Sequence, residues 1–164
     1  IRDCLEAVIA DEFYRPRDVY YLEGLQVSCG TLGMPTATVR LRGPDREIYN
    51  FASMGTGPVD ATYKAIDAIV KTPCKLLEFN IHAITEGIDA LGEVTVRIQS
   101  DSSDDTKMDA QSEQEYARVY GGHGADSDII VASAKAYINA LNKLIIAKTE
   151  GTQPVPNNFG VMLG

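Results

Sequence analysis

The sequence predicts an α+β fold made of two pseudo-symmetric βββα units, each a three-stranded antiparallel sheet with one helix. Two observations in its 164 residues carry that expectation. The first is a doubled motif. Gly55-Thr56-Gly57-Pro58 ends a β-like segment and opens an amphipathic helix, and Gly122-His123-Gly124 reads the same way. The second is a likeness that extends upstream. Leu22-Glu23-Gly24-Leu25-Gln26-Val27 parallels Leu77-Glu78-Phe79-Asn80-Ile81-His82, and Thr38-Val39-Arg40-Leu41 parallels Thr95-Val96-Arg97-Ile98. A unit written twice can bring two helix N-termini to a shared axis, where backbone N–H groups hold a carboxylate. The expectation is a small-ligand sensor rather than a catalyst.

Residues 1–18 are expected to form a linker helix and connection. Cys4/Leu5, Val8/Ile9 and Glu12/Phe13 recur at helical spacing until Tyr14-Arg15-Pro16-Arg17 breaks the pattern. The first unit, 19–74, has strand candidates at 19–30, 35–42 and 46–54, with turns at Gly33-Met34-Pro35 and Gly43-Pro44-Asp45. In its helix Val59, Tyr63, Ile66 and Val70 make one buried stripe, and Thr72-Pro73 stops it. The second unit, 75–150, has strand candidates near 75–85, 92–100 and 114–121. Its helix, Ser127 to Ile146, places Ile130, Ala134, Tyr137, Leu141 and Leu144 on one face, with Asp126 or Ser127 as N-cap. The polar run Ser100 to Lys107 reads as a solvated hairpin loop, and 151–164, with Pro154 and Pro156, as a flexible tail.

Composition narrows the function. A net charge of −8 disfavours nucleic acid and anionic membranes as partners, and no apolar run approaches transmembrane length. Three cysteines at no metal-like spacing indicate free thiols in a reducing compartment. Cys29 is expected to be a small core residue, and neither Cys4 nor Cys74 has a base to activate it. No signal or transit peptide is visible. The start at Ile1, inside a helical pattern, reads as a piece of a longer protein whose targeting information lies elsewhere. The expected compartment is the cytoplasm, or the plastid stroma for a plant or algal source.

Catalytic and cofactor motifs fail in turn. The first glycine motif lacks the third glycine and the ribose-binding acid of a dinucleotide fingerprint, and neither motif ends in the Gly-Lys-Ser/Thr of a phosphate loop. His82 and His123 are the only histidines and do not make a metal site. His82 lies in a strand whose alternation sends it to solvent or to a satisfied core bond. His123 stands at the expected helix start. Asp126-Ser127-Asp128 reads as capping and dipole partners rather than a metal dyad. Ser133 sits within a helix, not on a nucleophile elbow.

Several segments resemble the C-terminal regulatory domain of the 2-isopropylmalate synthase family: Val27 to Gly33, Pro35 to Val39, Gly55 to Ala61, Leu76 to Glu78, Ala83 to Ala90 and Gly124 to Asn142. The likeness runs from about Ile1 to Leu144. It implies two βββα units, a homodimer, and feedback binding of L-leucine between the units. Carried over by position, the leucine-binding residues are Thr56, Gly57, Val59, Asp60, Leu76, Phe79, Ala83 and Ile129. Helix-start amides would hold the carboxylate, and Asp60 or a strand carbonyl would meet the ammonium. Leu76, Phe79, Ala83 and Ile129 would wall the side chain; each also suits a core, Leu76 about equally well. Phe79 replaces the tyrosine common in the family, which removes a phenolic hydrogen bond.

The resemblance also implies that the catalytic barrel, with its divalent metal, belongs to a preceding part of the parent acyltransferase. No cofactor and no catalytic residue are expected in this chain. Related citramalate synthases use such a domain to sense isoleucine, and one methyl rearrangement is worth only about 1–3 kcal/mol in an apolar pocket. The small Ala83 and the long matches at Gly30–Gly33 and Glu86–Ala90 favour leucine. The rival readings are a dimerisation-only module and, less favoured, a free-standing enzyme. A dimer is also expected because a βββα unit has one helix layer, which leaves a second sheet face needing cover.

Overall fold

The computed structural model describes residues 19–83, 91–100 and 118–150. The expected linker helix with Cys4, the loop at 101–113 and the tail at 151–164 lie outside these residues. The first unit comprises β1 (Tyr21–Ser28), β2 (Thr36–Arg42), β3 (Ile48–Met54) and α1 (Pro58–Val70). The second comprises β4 (Cys74–Ala83), β5 (Gly92–Ser100), β6 (Val119–Asp126) and α2 (Ile129–Glu150). Each sheet is antiparallel with its strands in chain order, so the expected duplication is present in three dimensions.

Register refines the repeat. A bulge lies between Leu22 and Gly24 in the first sheet and between Leu76 and Glu78 in the second. Leu22 pairs with Leu41 and Leu76 with Ile98, so Leu22 corresponds to Leu76, not to Leu77 as the bare alignment of letters had it. The two bulges occupy equivalent places, so β1 and β4 correspond at one constant offset along their length, one residue away from the alignment of letters.

The third strand of the second unit is Val119–Asp126 rather than 114–121. Gly122-His123-Gly124 therefore lies within a strand and does not open a helix. Its glycines serve packing. A Cβ on Gly122 would fall 2.6 Å from the backbone nitrogen of Ala140, and one on Gly124 would fall 2.7 Å from that of Ala136. These two positions let α2 lie directly on β6. His123 faces the opposite way, its Nε2 2.7 Å from Glu93 Oε1. The counterpart of Gly55-Thr56-Gly57-Pro58 is Asp126-Ser127-Asp128-Ile129, at the junction that does open α2.

The core lies between the sheets and their helices. Val39 and Leu41 of β2, and Val94, Val96 and Ile98 of β5, are fully buried against Ala65, Ile66, Ala134, Tyr137, Leu141 and Leu144. α2 reaches the length and apolar content of a membrane-crossing helix, which the absence of a long apolar run did not anticipate. In this fold 56% of that stretch is buried inside the protein. The Asn142 side chain joins the units, accepting from Tyr20 N–H at 2.9 Å and donating to Tyr20 C=O at 3.0 Å.

One expectation about surfaces is corrected. Cys29 is exposed just beyond β1, because the strand ends at Ser28 and the alternation no longer applies. The outer sheet faces are mixed. Thr38, Arg40 and Arg42 on β2 and Glu93, Thr95 and Arg97 on β5 are polar, with ion pairs from Arg42 to Glu23 and Arg97 to Glu78, whereas Tyr21, Ile48, Met54 and Val119 on the same faces are exposed apolar side chains. Exposed apolar surface also lies on the helix side. Tyr49 and Phe51 of β3 and Leu76 and Ile81 of β4 share that face with the buried central strands, yet stay 40–49% exposed. Among the described residues, His82 also lies in the exposed class.

Gly122→Ala and Gly124→Ala should each destabilise the fold by about 1–3 kcal/mol or more, because the added methyl meets helix backbone that cannot rotate away. Urea denaturation of each variant measures this, and an unchanged midpoint would contradict the close packing of α2 on β6.

Burial pushes the phenols of Tyr63 and Tyr137 above their usual value of 10.0, and for Tyr137 a hydrogen bond donated to Asp67 adds to the rise. The stabilisation tied to these protons is complete below pH 10 and falls as pH rises towards the folded values. The expected loss is about 1.4 kcal/mol per pH unit for each phenol. Denaturation midpoints between pH 9 and 12, followed with phenolate absorbance, should show stability falling while those two phenols resist ionisation until the chain unfolds.

Candidate functional site

The β3–α1 junction divides labour among its residues. A Cβ on Gly55 would sit 2.6 Å from Asp60 Oδ2 and 2.8 Å from Ala61 Cα, so this glycine lets the first turn of α1 fold back onto the end of β3. Gly55 N–H donates to Pro35 C=O at 2.9 Å, which ties the β1–β2 loop to the same end of the unit. Asp60 braces the loop. Its Oδ2 accepts from Thr56 N–H at 2.9 Å and lies 2.8 Å from Lys64 Nζ. The Lys64 hydrogen bond, followed by the Thr56 amide, holds this carboxyl below its ordinary range. A role for Asp60 towards an ammonium would therefore be shared with Lys64.

Gly57 is the N-cap of α1 and supplies no side chain to it. Its backbone is extended, and a Cβ there would meet nothing within 4 Å. Pro58 contributes no N–H, so the amides of Val59 and Asp60 begin the helix without a side-chain cap. The start of α2 is built differently. Asp128 Oδ1 accepts from Ile130 N–H at 2.8 Å, so the cap is Asp128, one or two residues beyond the expected Asp126 or Ser127. Asp126 supports it from behind, accepting from Asp128 N–H at 3.0 Å and from Lys135 Nζ at 2.7 Å. The Asp128 amide first, and Lys135 second, lower the Asp126 pKa.

The two helices run in the same direction and in register. Tyr63 Oη donates to Ser133 C=O at 3.2 Å, and Tyr137 Oη donates to Asp67 Oδ1 at 2.5 Å, both across a separation of 70 residues. The rings of Tyr63 and Tyr137 stack between them at 4.2 Å. One turn towards the N-termini, the same offset sets Val59 abreast of Ile129. Asp67 keeps an exposed flank, but burial of its carboxylate in this contact raises its pKa, partly offset by the Tyr137 bond. Cys74 Sγ completes the cluster 3.5 Å from Tyr137 Oη.

Thr56, Gly57, Val59 and Asp60 thus form one group at the start of α1, with Ile129 abreast of it. Phe79 reaches the group through Tyr63, edge to face at 6.2 Å. Ala83 is in register with Gly92, the residue over which Ile129 lies. Leu76 stands apart at the other end of β4, roughly 20 Å from Ala83 at about 3.3 Å per residue. Tyr63, Gly92, Ser133 and Asp128 enter the arrangement unforeseen. Only the recurrence of tyrosine in both helix stripes hinted at them, and that pattern reads equally as core. Among the described residues, no three His, Cys, Asp or Glu side chains converge to hold a metal ion.

The chain matches the LeuA allosteric (dimerisation) domain over residues 2–145. It is similar to 2-isopropylmalate synthases from Gloeobacter violaceus (49% identical over 148 residues), Nostoc sp. (49% over 140) and Picosynechococcus sp. (43% over 152). These alignments cover 90%, 85% and 93% of this chain but only 25%, 24% and 26% of the relatives, so the chain spans about a quarter of their length. A doubled βββα unit with its two helices abreast is thus joined to a match over almost all of its length: the chain belongs to the LeuA allosteric (dimerisation) domain family.

Proposed function

We propose that this chain is the regulatory domain through which L-leucine inhibits a 2-isopropylmalate synthase, and that it also joins two protomers. The observation that carries this reading is the start of α1, a helix without a side-chain cap at the end where α1 and α2 begin abreast. The leucine carboxylate takes the place at α1 that Asp128 fills at α2. Val59, Phe79, Ala83 and Ile129 enclose the side chain, and a strand carbonyl or Asp60 meets the ammonium. Condensation of acetyl-CoA with 2-oxoisovalerate, and the divalent metal it needs, belong to another part of the parent chain. Leucine inhibits only to the extent that its affinity differs between active and inactive states of the whole enzyme. Isoleucine sensing is the rival effector reading. The names of the relatives favour leucine. A thermal-shift panel of leucine, isoleucine and valine separates the two, and a dimer that responds to none of them would be a dimerisation-only module.

Gly57→Asp should abolish leucine binding and leave the fold intact. The new side chain enters open space at an N-cap, where aspartate is favoured over glycine by a few tenths of a kcal/mol. Its charge would face the ligand carboxylate. At about 4 Å and an effective dielectric of about 20 the repulsion is roughly 4 kcal/mol, or several hundredfold in affinity. Calorimetry with leucine, beside a melt of the free variant, tests both halves. Wild-type affinity in Gly57→Asp would place the pocket elsewhere.

In solution the chain should be a homodimer, with the half-exposed Tyr49, Phe51, Leu76 and Ile81 supplying apolar surface for the contact. Light scattering at tens of micromolar, roughly the range where an interface of standard size holds, should give twice the chain mass. A monomer at that concentration would remove dimerisation from the proposal.

A further inference from the structure

Gly92 opens β5, in register with Ala83 on β4 and Asp126 on β6. The next three positions on its face are Val94, Val96 and Ile98, all fully buried. A fourth branched residue would continue the pattern, and glycine interrupts it. Its backbone does not adopt the left-handed conformation that would demand glycine. What the missing side chain leaves is room. A Cβ on Gly92 would fall well inside contact distance of Ile129 Cδ1, whereas its next neighbours, Ile129 Cγ1 and the Asp126 carbonyl, lie at an ordinary 3.7 Å. This differs from Gly122 and Gly124, where the obstructing atoms include helix backbone. At Gly92 the close neighbour is the tip of a flexible side chain. The first unit has no such seat, since Pro35 and Pro58 hold the positions corresponding to Gly92 and Ile129.

We propose that Gly92 is a positioning residue that sets the depth of the effector pocket by providing the seat for Ile129 Cδ1. The inference rests on the effector reading above and deepens it. Ile129 is the first residue of α2 and lies abreast of Val59, so its side chain is the movable wall between the two helix starts. Seated over Gly92, it leaves space for a γ-branched effector. Pushed off that seat, it moves into the same space and shallows the pocket by about one methyl group. Leucine then loses more than valine, which is shorter by a methylene. A change of this size in an apolar pocket shifts affinity roughly 10- to 100-fold.

The test uses the full chain with isoleucine δ1-methyl labelling and calorimetric titrations of leucine and valine. The Ile129 signal is assigned by its loss in Ile129→Val. Gly92→Ala should move that methyl resonance before any ligand is added. It should also weaken leucine about tenfold or more while weakening valine less. Adding Ile129→Val to Gly92→Ala removes the obstructing Cδ1 and should restore leucine binding. An unmoved methyl, an unchanged leucine-to-valine ratio, or a double variant that recovers nothing would overturn the proposal. So would a Gly92→Ala chain that fails to fold and is not recovered by Ile129→Val, because the new methyl would then be meeting backbone. A wild-type chain that binds neither amino acid would instead overturn the effector reading, and the methyl resonance would still decide whether Gly92 seats Ile129.

Discussion

The parallel contact between α1 and α2 is the constraint on which the remainder of the molecule depends. Among the described residues the two sheets have separate hydrogen-bond ladders and share no backbone–backbone hydrogen bond. Their union rests on side chains: the stacked Tyr63 and Tyr137 rings, the hydroxyls each ring sends to the other helix, and the Asn142 amide clasping Tyr20. Each buried phenol is satisfied, so the contact gains aromatic burial without leaving a polar group unpaired. Because both hydroxyl bonds span the same interval, the helices are held in one register, and both must begin at the same end of the domain.

That shared end is where the two copies of the unit diverge. In the second, Asp128 caps its own helix and Asp126 and Lys135 lock the cap in place, so the junction is complete in itself. In the first, the capping position is a glycine facing open space, and the nearby Asp60 is turned back to brace the loop. A glycine in place of a side-chain cap gives up a modest amount of stability, about a few tenths of a kcal/mol. Retaining that cost in one copy only is in keeping with a junction that meets something other than its own side chain. The surfaces diverge as well. The outer sheet faces mix charged side chains with the exposed Tyr21, Ile48 and Met54, while the edges of the helix-side faces, on β3 and β4, are apolar and part-exposed.

Glycine performs three separate tasks in this chain, and only local geometry tells them apart. Gly55, Gly122 and Gly124 allow backbone to approach backbone, Gly92 accommodates a side chain, and Gly57 leaves space empty. The letters Gly-X-Gly are the same in both motifs. In one they precede a helix, and in the other they lie beneath one.

By itself the sequence determined the duplicated βββα order, the buried stripes of both helices and the family resemblance, because these depend on periodicity and on short runs of residues. Val59, Tyr63, Ile66 and Val70 fall on one helical face whatever packs against them. The strand letters of β2 and β5 matched residue for residue, and the register of the two sheets agrees with that match. Only the tertiary structure decided that the second glycine motif belongs inside β6, that Asp128 caps α2 and that Cys29 is exposed. It alone joined Val59 to Ile129 through the 70-residue interval and seated Ile129 over Gly92. Each of these depends on where a strand stops, or on which backbone lies against a residue after the chain has closed on itself. Such distances link positions remote in sequence, and no local pattern of residue types encodes them.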